Sequence, residues 1–246
     1  MRKPRIFRQG PLSEGIEIAL TGAAAHHVSR VLRLGKEDAL ILFNGDGLDY
    51  ASRIKSVHRQ EIVVAVGSSR DPGTESPVNI TLLQGLCRGP RMDMLIQKST
   101  ELGVRNIWPI RSERGIIRFS AEKSKKKVGH WQAIAVSACE QSGRSKVPLV
   151  RAPETLSTII DDLDGKITRI MLDPSGSARL GNVIDSSRAI ALLVGPEGGF
   201  TDTERTAAVD AGFQRVGFGP RILRTETAPI TAISIIQFIL GDLGKN

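Results

Sequence analysis

The chain has 246 residues, enough for one large domain or two modest ones, each with a real core. A hydrophobic content of 40% with no apolar run of bilayer length argues against a membrane protein, and the charged N-terminus MRKPRIFRQG lacks the apolar core of a signal peptide, so a cytoplasmic protein is expected. The net charge of +8 is uneven: residues 1–150 carry 24 Lys and Arg against 14 Asp and Glu, while residues 151–246 carry 10 against 12, which points to a polyanion gripped by the first part. Aromatic residues are only 4%, which disfavours repeated base-stacking platforms and favours phosphate contacts.

Short strands are predicted at Arg5 to Arg8, Ile16 to Leu20, Leu40 to Phe43, Tyr50 to Val57 and Glu61 to Val66, with one helix near Ala23 to Leu32. Turn signals such as Asn44-Gly45-Asp46-Gly47 separate them, so a small β-barrel is expected over residues 1–70. Ser68 to Pro77 is rich in Ser, Gly, Pro and Asp, which places a linker at residues 71–77 and a second domain at 78–246. Strand and helix then alternate: a strand near Asn79 to Leu86, a helix Met92 to Leu102 stopped by Gly103, a strand Asn106 to Arg111 and a long helix near Ser120 to Gln141. Strands follow near Ile167 to Leu172, Ala189 to Val194 and Gln214 to Phe218. That order is an α/β domain with a parallel sheet.

Several charged groups stand out along this path. Lys98 and Glu101 lie one turn apart, as an intrahelical ion pair would. Arg111, Arg114 and Arg118 follow an apolar strand and suit phosphate or carbonyl recognition. Lys125, Lys126 and Lys127 form a basic run that is either a solvated face or a phosphate contact. Glu140 and Arg144 have the favourable order for a helix salt bridge. Cys87 and Cys139 form neither a CxxC pair nor a cluster with His26, His27, His58 or His130, so neither a disulfide framework nor a metal site is expected, and both read as reduced core thiols.

Two glycine-punctuated turns carry the most chemistry. LLVGPEGGFTDTE, at Leu192 to Glu204, follows an apolar strand and opens a helix whose Thr201 and Glu204 have capping-box spacing and whose end Gly212 can close. GFGPRILRTETA, at Gly217 to Ala228, opens the apolar helix Pro229 to Leu240, with Glu226 and Thr227 as candidate caps. Arg221 and Arg224 oppose that helix's dipole and call for an anionic partner. Ligands of open α/β sheets sit outside the carboxyl ends of strands, so the two turns are expected to wall one small-molecule pocket.

These turns, with RMDMLIQKSTELGV at Arg91 to Val104 and CEQSGR at Cys139 to Arg144, closely resemble the RsmE family of ribosomal RNA uridine-N3 methyltransferases, of the SPOUT class. The resemblance spans nearly the whole chain. It implies a parallel-sheet domain with a C-terminal trefoil knot that binds S-adenosylmethionine. RIFR at Arg5 to Arg8 and HHVSRVLRLGKED at His26 to Asp38 resemble that family's PUA-like RNA-binding barrel, so Arg5, Arg8, Arg30 and Arg33 are expected on RNA. Lys98, Arg111, Arg118, Lys125, Lys126 and Lys127 join them. Arg88 and Arg91 stand where lysines are common, and Pro229-Ile230-Thr231 replaces a smaller apolar stretch.

The resemblance implies methyl transfer from S-adenosylmethionine to N3 of a decoding-site uridine in 16S rRNA of the small ribosomal subunit, by a homodimer using no metal. Gly195, Pro196, Glu197, Gly198, Gly199, Gly219, Arg224 and Thr227 are expected around the cofactor, with Leu172, Leu193, Ile222 and Leu223 enclosing its adenine. Arg114, Arg144 and Arg224 are candidates for stabilising charge on the uracil carbonyls. Glu140 belongs to the active-site neighbourhood, and Glu197 has two readings: burial raises it toward the duty of a base, or it equally braces its loop by accepting main-chain N–H bonds. N3 lies on the Watson–Crick edge, so the target must be unpaired or flipped out. Rivals are a nucleotide-phosphate enzyme, disfavoured by the absence of GxxxxGK[ST] and of GxGxxG after a strand, a non-catalytic RNA-binding protein, and a SPOUT methyltransferase for another RNA.

Overall fold

The computed structural model describes residues 3–115, 117, 119–163, 165–184 and 188–244. Arg118, one of the expected RNA contacts, lies outside them. The chain divides into two compact units, Met1–Glu75 with Val136–Val147, and Ser76–Ala135 with Pro148–Asn246.

The first unit is built on a curled five-stranded sheet in the order β1-β3-β4-β5-β2, comprising β1 (Arg5–Phe7), β2 (Glu17–Thr21), β3 (Ala39–Phe43), β4 (Asp49–Val57) and β5 (Glu61–Arg70). β2 and β4 alternate buried with exposed residues, which turns Ile18, Leu20, Tyr50 and Ile54 into one core with Leu40, Leu42, Ile62 and Val64. Register shifts between Tyr50 and Ser52 and between Ile54 and Ser56 let β4 bend around that core. The turn after β3 is set by side chains: Asn44 Oδ1 accepts from Asp46 N at 3.1 Å and Asp46 Oδ1 from Leu48 N at 2.8 Å. The expected helix Ala23 to Leu32 is a short α-helix, α1 (Gly22–His26), continued by a π-helical turn over His27–Val31 in which Leu32 N donates to His27 O.

The second unit holds a seven-stranded, all-parallel sheet in the order β12-β10-β11-β6-β7-β8, with β9 also on β7. Its strands are β6 (Asn79–Gly85), β7 (Asn106–Arg111), β8 (Leu149–Val150), β9 (Glu154–Thr155), β10 (Thr168–Leu172), β11 (Ala189–Val194) and β12 (Gln214–Val216). β6 and β11 are buried over all but their first residue, as strands covered on both faces should be. The helices are α2 (Gly89–Glu101), α3 (Ala121–Ser142), α4 (Leu156–Asp161), α5 (Leu180–Val183), α6 (Asp202–Asp210) and α7 (Thr227–Ile239), the last turns of α3 belonging to the first unit. Gly103, with φ of 85°, ends α2, and Gly212, with φ of 86°, follows α6. Thr201 and Glu204 do form a full capping box. Glu226, by contrast, sits at the N-cap of α7 with helical backbone angles and makes no side-chain cap.

Candidate active site

β12, β10 and β11 are parallel neighbours, so the loops leaving their carboxyl ends meet at one edge of the sheet. They enclose a cavity of about 450 Å³, lined by Leu172–Pro174, by Gly195–Glu197, Gly199 and Phe200, and by Phe218–Thr225. That size and position suit a nucleoside-sized cofactor. The walls are tied together by Thr225, whose hydroxyl donates to the Gly195 carbonyl at 2.7 Å while accepting from Gln84 Nε2 at 3.1 Å. Gly199, with φ of 66°, turns the second wall, and Phe200 anchors it in the core.

Charge is balanced on the inside of this pocket and open at its rim. Burial alone would raise the Asp173 carboxyl, but the amide and hydroxyl of Ser175 and the Arg215 guanidinium, 2.9 Å away, hold it below the usual carboxylate range. Arg91, from the first turn of α2, reaches Glu197 at 2.8 Å and Glu226 at 3.6 Å, so one guanidinium spans two carboxylates from different walls. Arg221 and Arg224 are exposed along the third wall, and neither has a carboxylate partner among the described residues. No described carboxylate thus supplies the anionic partner that their place before α7 calls for.

Of the two readings of Glu197, the structure favours the brace over the base. Burial pushes its carboxyl up, yet its own amide, the Arg88 amide and the Arg91 pair outweigh that and leave it below the ordinary range. It is an ionised brace, not a carboxyl held near neutrality. The carboxyl that burial does raise is Glu140, which accepts from Phe7 N at 3.0 Å inside the first unit. Both thiols are free and buried, and desolvation lifts each to about 12, as inert core cysteines should be.

The pocket gathers Leu172, Gly195, Pro196, Glu197, Gly199, Gly219, Ile222, Leu223 and Arg224 from the sequence-predicted cofactor set. It omits three. Leu193 is fully buried in the core beneath, Thr227 opens α7 outside the lining, and Gly198 is not among the lining residues. A Cβ on Gly198 would stand 3.4 Å from the Arg114 carbonyl and 3.6 Å from the Arg114 Cβ, which is ordinary contact distance, so Gly198 lies beside the Ser112–Gly115 turn without being required there by close packing. Arg91, Asp173, Arg205 and Phe218 also line the cavity, although the sequence does not mark them as cofactor residues; Asp173 carries a usable signal, as it heads an Asp-Pro-Ser-Gly turn after a strand.

Other predicted residues are distributed by unit. Arg5 is buried in the first unit, ion-paired with Asp49 and donating to the Arg144 carbonyl and Ser145 Oγ at 3.0 Å. Arg144 is itself buried, with Nη2 2.9 Å from Glu75. These two guanidiniums are committed to protein partners that hold the turn after α3, which corrects the picture of Arg5 as a free phosphate contact and of Arg144 as an open carbonyl clamp. Arg30 lines an open cleft with His26, His58 and Arg59, Arg33 is exposed, and Arg8 is half-buried. In the second unit, Lys98 pairs with Glu101 at 2.8 Å and Arg111 with Glu154 at 3.0 Å, whereas Arg114 is exposed and has no ion-pair partner among the described residues.

Fold and pocket define a two-unit α/β protein with a cofactor-sized site at the carboxyl edge of a parallel sheet. A profile described as RNA methyltransferase domain matches residues 74–237, and one described as RNA methyltransferase PUA domain matches residues 20–66. Ribosomal RNA small subunit methyltransferase E from Buchnera aphidicola subsp. Schizaphis graminum is 34% identical over 98% of both chains, and the protein of that name from Bacillus subtilis is 28% identical over 92% of both. Among solved structures, ribosomal RNA small subunit methyltransferase E from Neisseria gonorrhoeae bound to S-adenosylmethionine superposes with a TM-score of 0.92 at 38% identity, covering 98% of this chain and 100% of that one. Lpg2936 from Legionella pneumophila, in complex with the same cofactor, gives 0.93 at 37% identity, covering 99% and 100%. The chain belongs to the ribosomal RNA small subunit methyltransferase E family, the RsmE family that its motifs resemble.

Proposed function

We propose that this protein transfers a methyl group from S-adenosylmethionine to N3 of a uridine in 16S rRNA of the small ribosomal subunit, in the cytoplasm. The observation that carries this reading is the pocket itself: a glycine-walled cavity of about 450 Å³ at the carboxyl edge, with Arg221 and Arg224 on its wall and without carboxylate partners among the described residues. The residues fit the cofactor. Main-chain groups of Gly195, Gly199 and Gly219 are approachable for want of side chains, Leu172, Ile222 and Leu223 offer apolar faces for adenine, and the arginines can meet a carboxylate.

Bound there, the cofactor supplies an already activated methyl group. The chain's own work is to align the uracil and to favour loss of its N3 proton. Arg224 and Arg114 are the guanidiniums available to stabilise negative charge on the uracil carbonyls, and Arg91 keeps Glu197 ionised and occupied. Incubating small subunits with tritium-methyl S-adenosylmethionine and digesting the RNA to nucleosides is expected to give labelled 3-methyluridine by mass spectrometry. Label on another nucleoside, or only on another RNA class, would replace the substrate assignment.

A trefoil knot and a homodimer complete the reading. After β12, at one edge of the sheet, the chain reaches within nine residues the ends of β11 and β6, two and three strands away, where Thr225 is buried. Such a crossing is what threading through the Pro196–Phe200 loop requires, and an experimental trace of residues 217–229 against that loop tests it. α7 buries Ala232, Ile233, Ile236 and Gln237 in its own unit but leaves Phe238 67% and Ile239 49% exposed, with Leu243 at 55% beyond. That apolar face supports a symmetric dimer. Sedimentation at micromolar concentration is expected to give twice 26.6 kDa, and a monomer alone would overturn it.

A further inference from the structure

The capping box of α6 contains more hydrogen bonding than a helix cap needs. A cap uses one carboxylate oxygen of Glu204, and Oε2 fills that role by accepting from Thr201 N at 2.9 Å. Oε1 instead accepts the amide of Glu113, 91 positions away in the chain, also at 2.9 Å. Thr201 repeats the pattern: its hydroxyl accepts from Glu204 N at 3.1 Å and donates to Glu113 Oε2 at 3.0 Å. Three residues thus close a ring of four hydrogen bonds. Glu204 is only 7% exposed, so the ring holds a nearly dry carboxylate whose two oxygens are both used.

The ring joins a wall of the pocket to a neighbouring turn. On one side, Gly199 and Phe200, directly before Thr201, line the pocket. On the other, Glu113 belongs to the turn closed by Gly115 N to Ser112 O at 3.0 Å, whose next residue is Arg114. The Arg114 carbonyl stands 3.4 Å from where a Gly198 Cβ would be, and its guanidinium is exposed without an ion pair among the described residues. A turn on the protein surface is ordinarily free to move. This one is fastened at Glu113 and runs beside Gly198, which ties down the backbone from which the guanidinium projects.

We propose that Glu204 is a positioning residue for methyl transfer, holding the Ser112–Gly115 turn to the glycine loop so that Arg114 is presented at the rim of the pocket. The proposal rests on the methyltransferase reading above and deepens it. A misplacement of about 1 Å remote from the chemistry can lower a rate about 100-fold, which is the size of effect a loosened turn would have.

E204Q and T201A separate the Glu204 contact to the turn from the cap. Glutamine has one acceptor oxygen for two amides, so E204Q loses one of the two bonds the carboxylate accepts, whereas T201A removes both bonds of the Thr201 hydroxyl, to Glu204 N and to Glu113 Oε2, but leaves Glu204 able to hold the Glu113 amide. Both variants are expected to melt a few degrees lower. E204Q alone is expected to lower kcat on small subunits by 10-fold or more, with adenosylhomocysteine affinity and KM for the subunit within about threefold, and to speed deuterium exchange at the Glu113 amide. In an R114A background E204Q should cause no further loss of kcat, because the residue it positions is gone. Wild-type kcat in E204Q, an undiminished further loss in R114A, or unaltered Glu113 exchange would each overturn the proposal while wild-type methylation still stands. A wild-type protein that methylates no small-subunit RNA would instead bring down the reading of the reaction, and this proposal with it.

Discussion

Replacing Gly85 with alanine is expected to close the cofactor pocket. Gly85 is the last residue of β6, and its backbone is ordinary; what demands glycine is proximity. An ideal Cβ there would stand 2.5 Å from both Cδ and N of Pro196 and 2.9 Å from the Gly195 carbonyl carbon. Carbon atoms in good contact sit about 3.5–4 Å apart, so the Gly195-Pro196 segment would have to move outward by roughly 1 Å. That segment is a wall of the cavity, and its Gly195 carbonyl is the acceptor that fixes Thr225. Overpacking of this kind costs about 1–3 kcal/mol, and more where backbone must yield. Calorimetric titration is expected to show adenosylhomocysteine affinity reduced at least about 10-fold, equivalent to roughly 1.4 kcal/mol. Gly129→Ala is the control. It lies in α3 with nothing within 4 Å of its ideal Cβ, so the same added methyl should stabilise the helix by up to about 1 kcal/mol and leave binding alone. Equal binding by wild-type and Gly85→Ala protein would mean that the glycine loop yields freely and does not shape the site.

The case of Gly85 shows which parts of this protein are legible in its sequence. Continuous apolar runs identify β6, β10 and β11, and the spacing of Thr201 and Glu204 marks the start of α6, because these signals are local: each depends on neighbours within a few residues. The two glycine turns likewise locate the pocket. What a glycine is for is not legible, since Gly85 is explained by Pro196, which the sequence does not place beside it. Charges mislead in the same way. Glu197 reads as a buried base only while Arg91, 106 positions earlier, is out of view, and Arg5 reads as an RNA contact only while Asp49 is. α4 and α5, with 6 and 4 residues, are too short to develop a helical period, and the π-helical turn after α1 differs from an α-helix in main-chain bonding that side-chain patterns do not record.

Neutralising Lys125, Lys126 and Lys127 together is expected to weaken RNA binding without touching the fold or the cofactor. All three lie in the second turn of α3, Lys125 and Lys126 exposed and Lys127 half-buried. Lys126 pairs with Glu122 at 2.8 Å, but the two side chains are 76% and 78% exposed, and such a pair contributes only a few tenths of a kcal/mol. Like-charged neighbours near a helix N-terminus gain nothing from the dipole, so alanine at these positions should leave the melting temperature within a degree or two. Every phosphate that a lysine no longer neutralises takes about 0.7–0.9 off the slope of log affinity against log salt, so filter binding over a salt series should flatten by about 2, with affinity falling roughly 10- to 100-fold at low salt. Arg224→Ala should divide the other way. It removes an exposed guanidinium from the pocket wall, so methyl transfer is expected to fall about 100-fold while the salt slope shifts by about 1 at most. Lysine neutralisation that abolished adenosylhomocysteine binding while RNA affinity held would reverse the assignment of the two surfaces. An unchanged salt slope would make the lysine run a solvated face, and the RNA grip would then rest on the exposed arginines Arg30, Arg33 and Arg114.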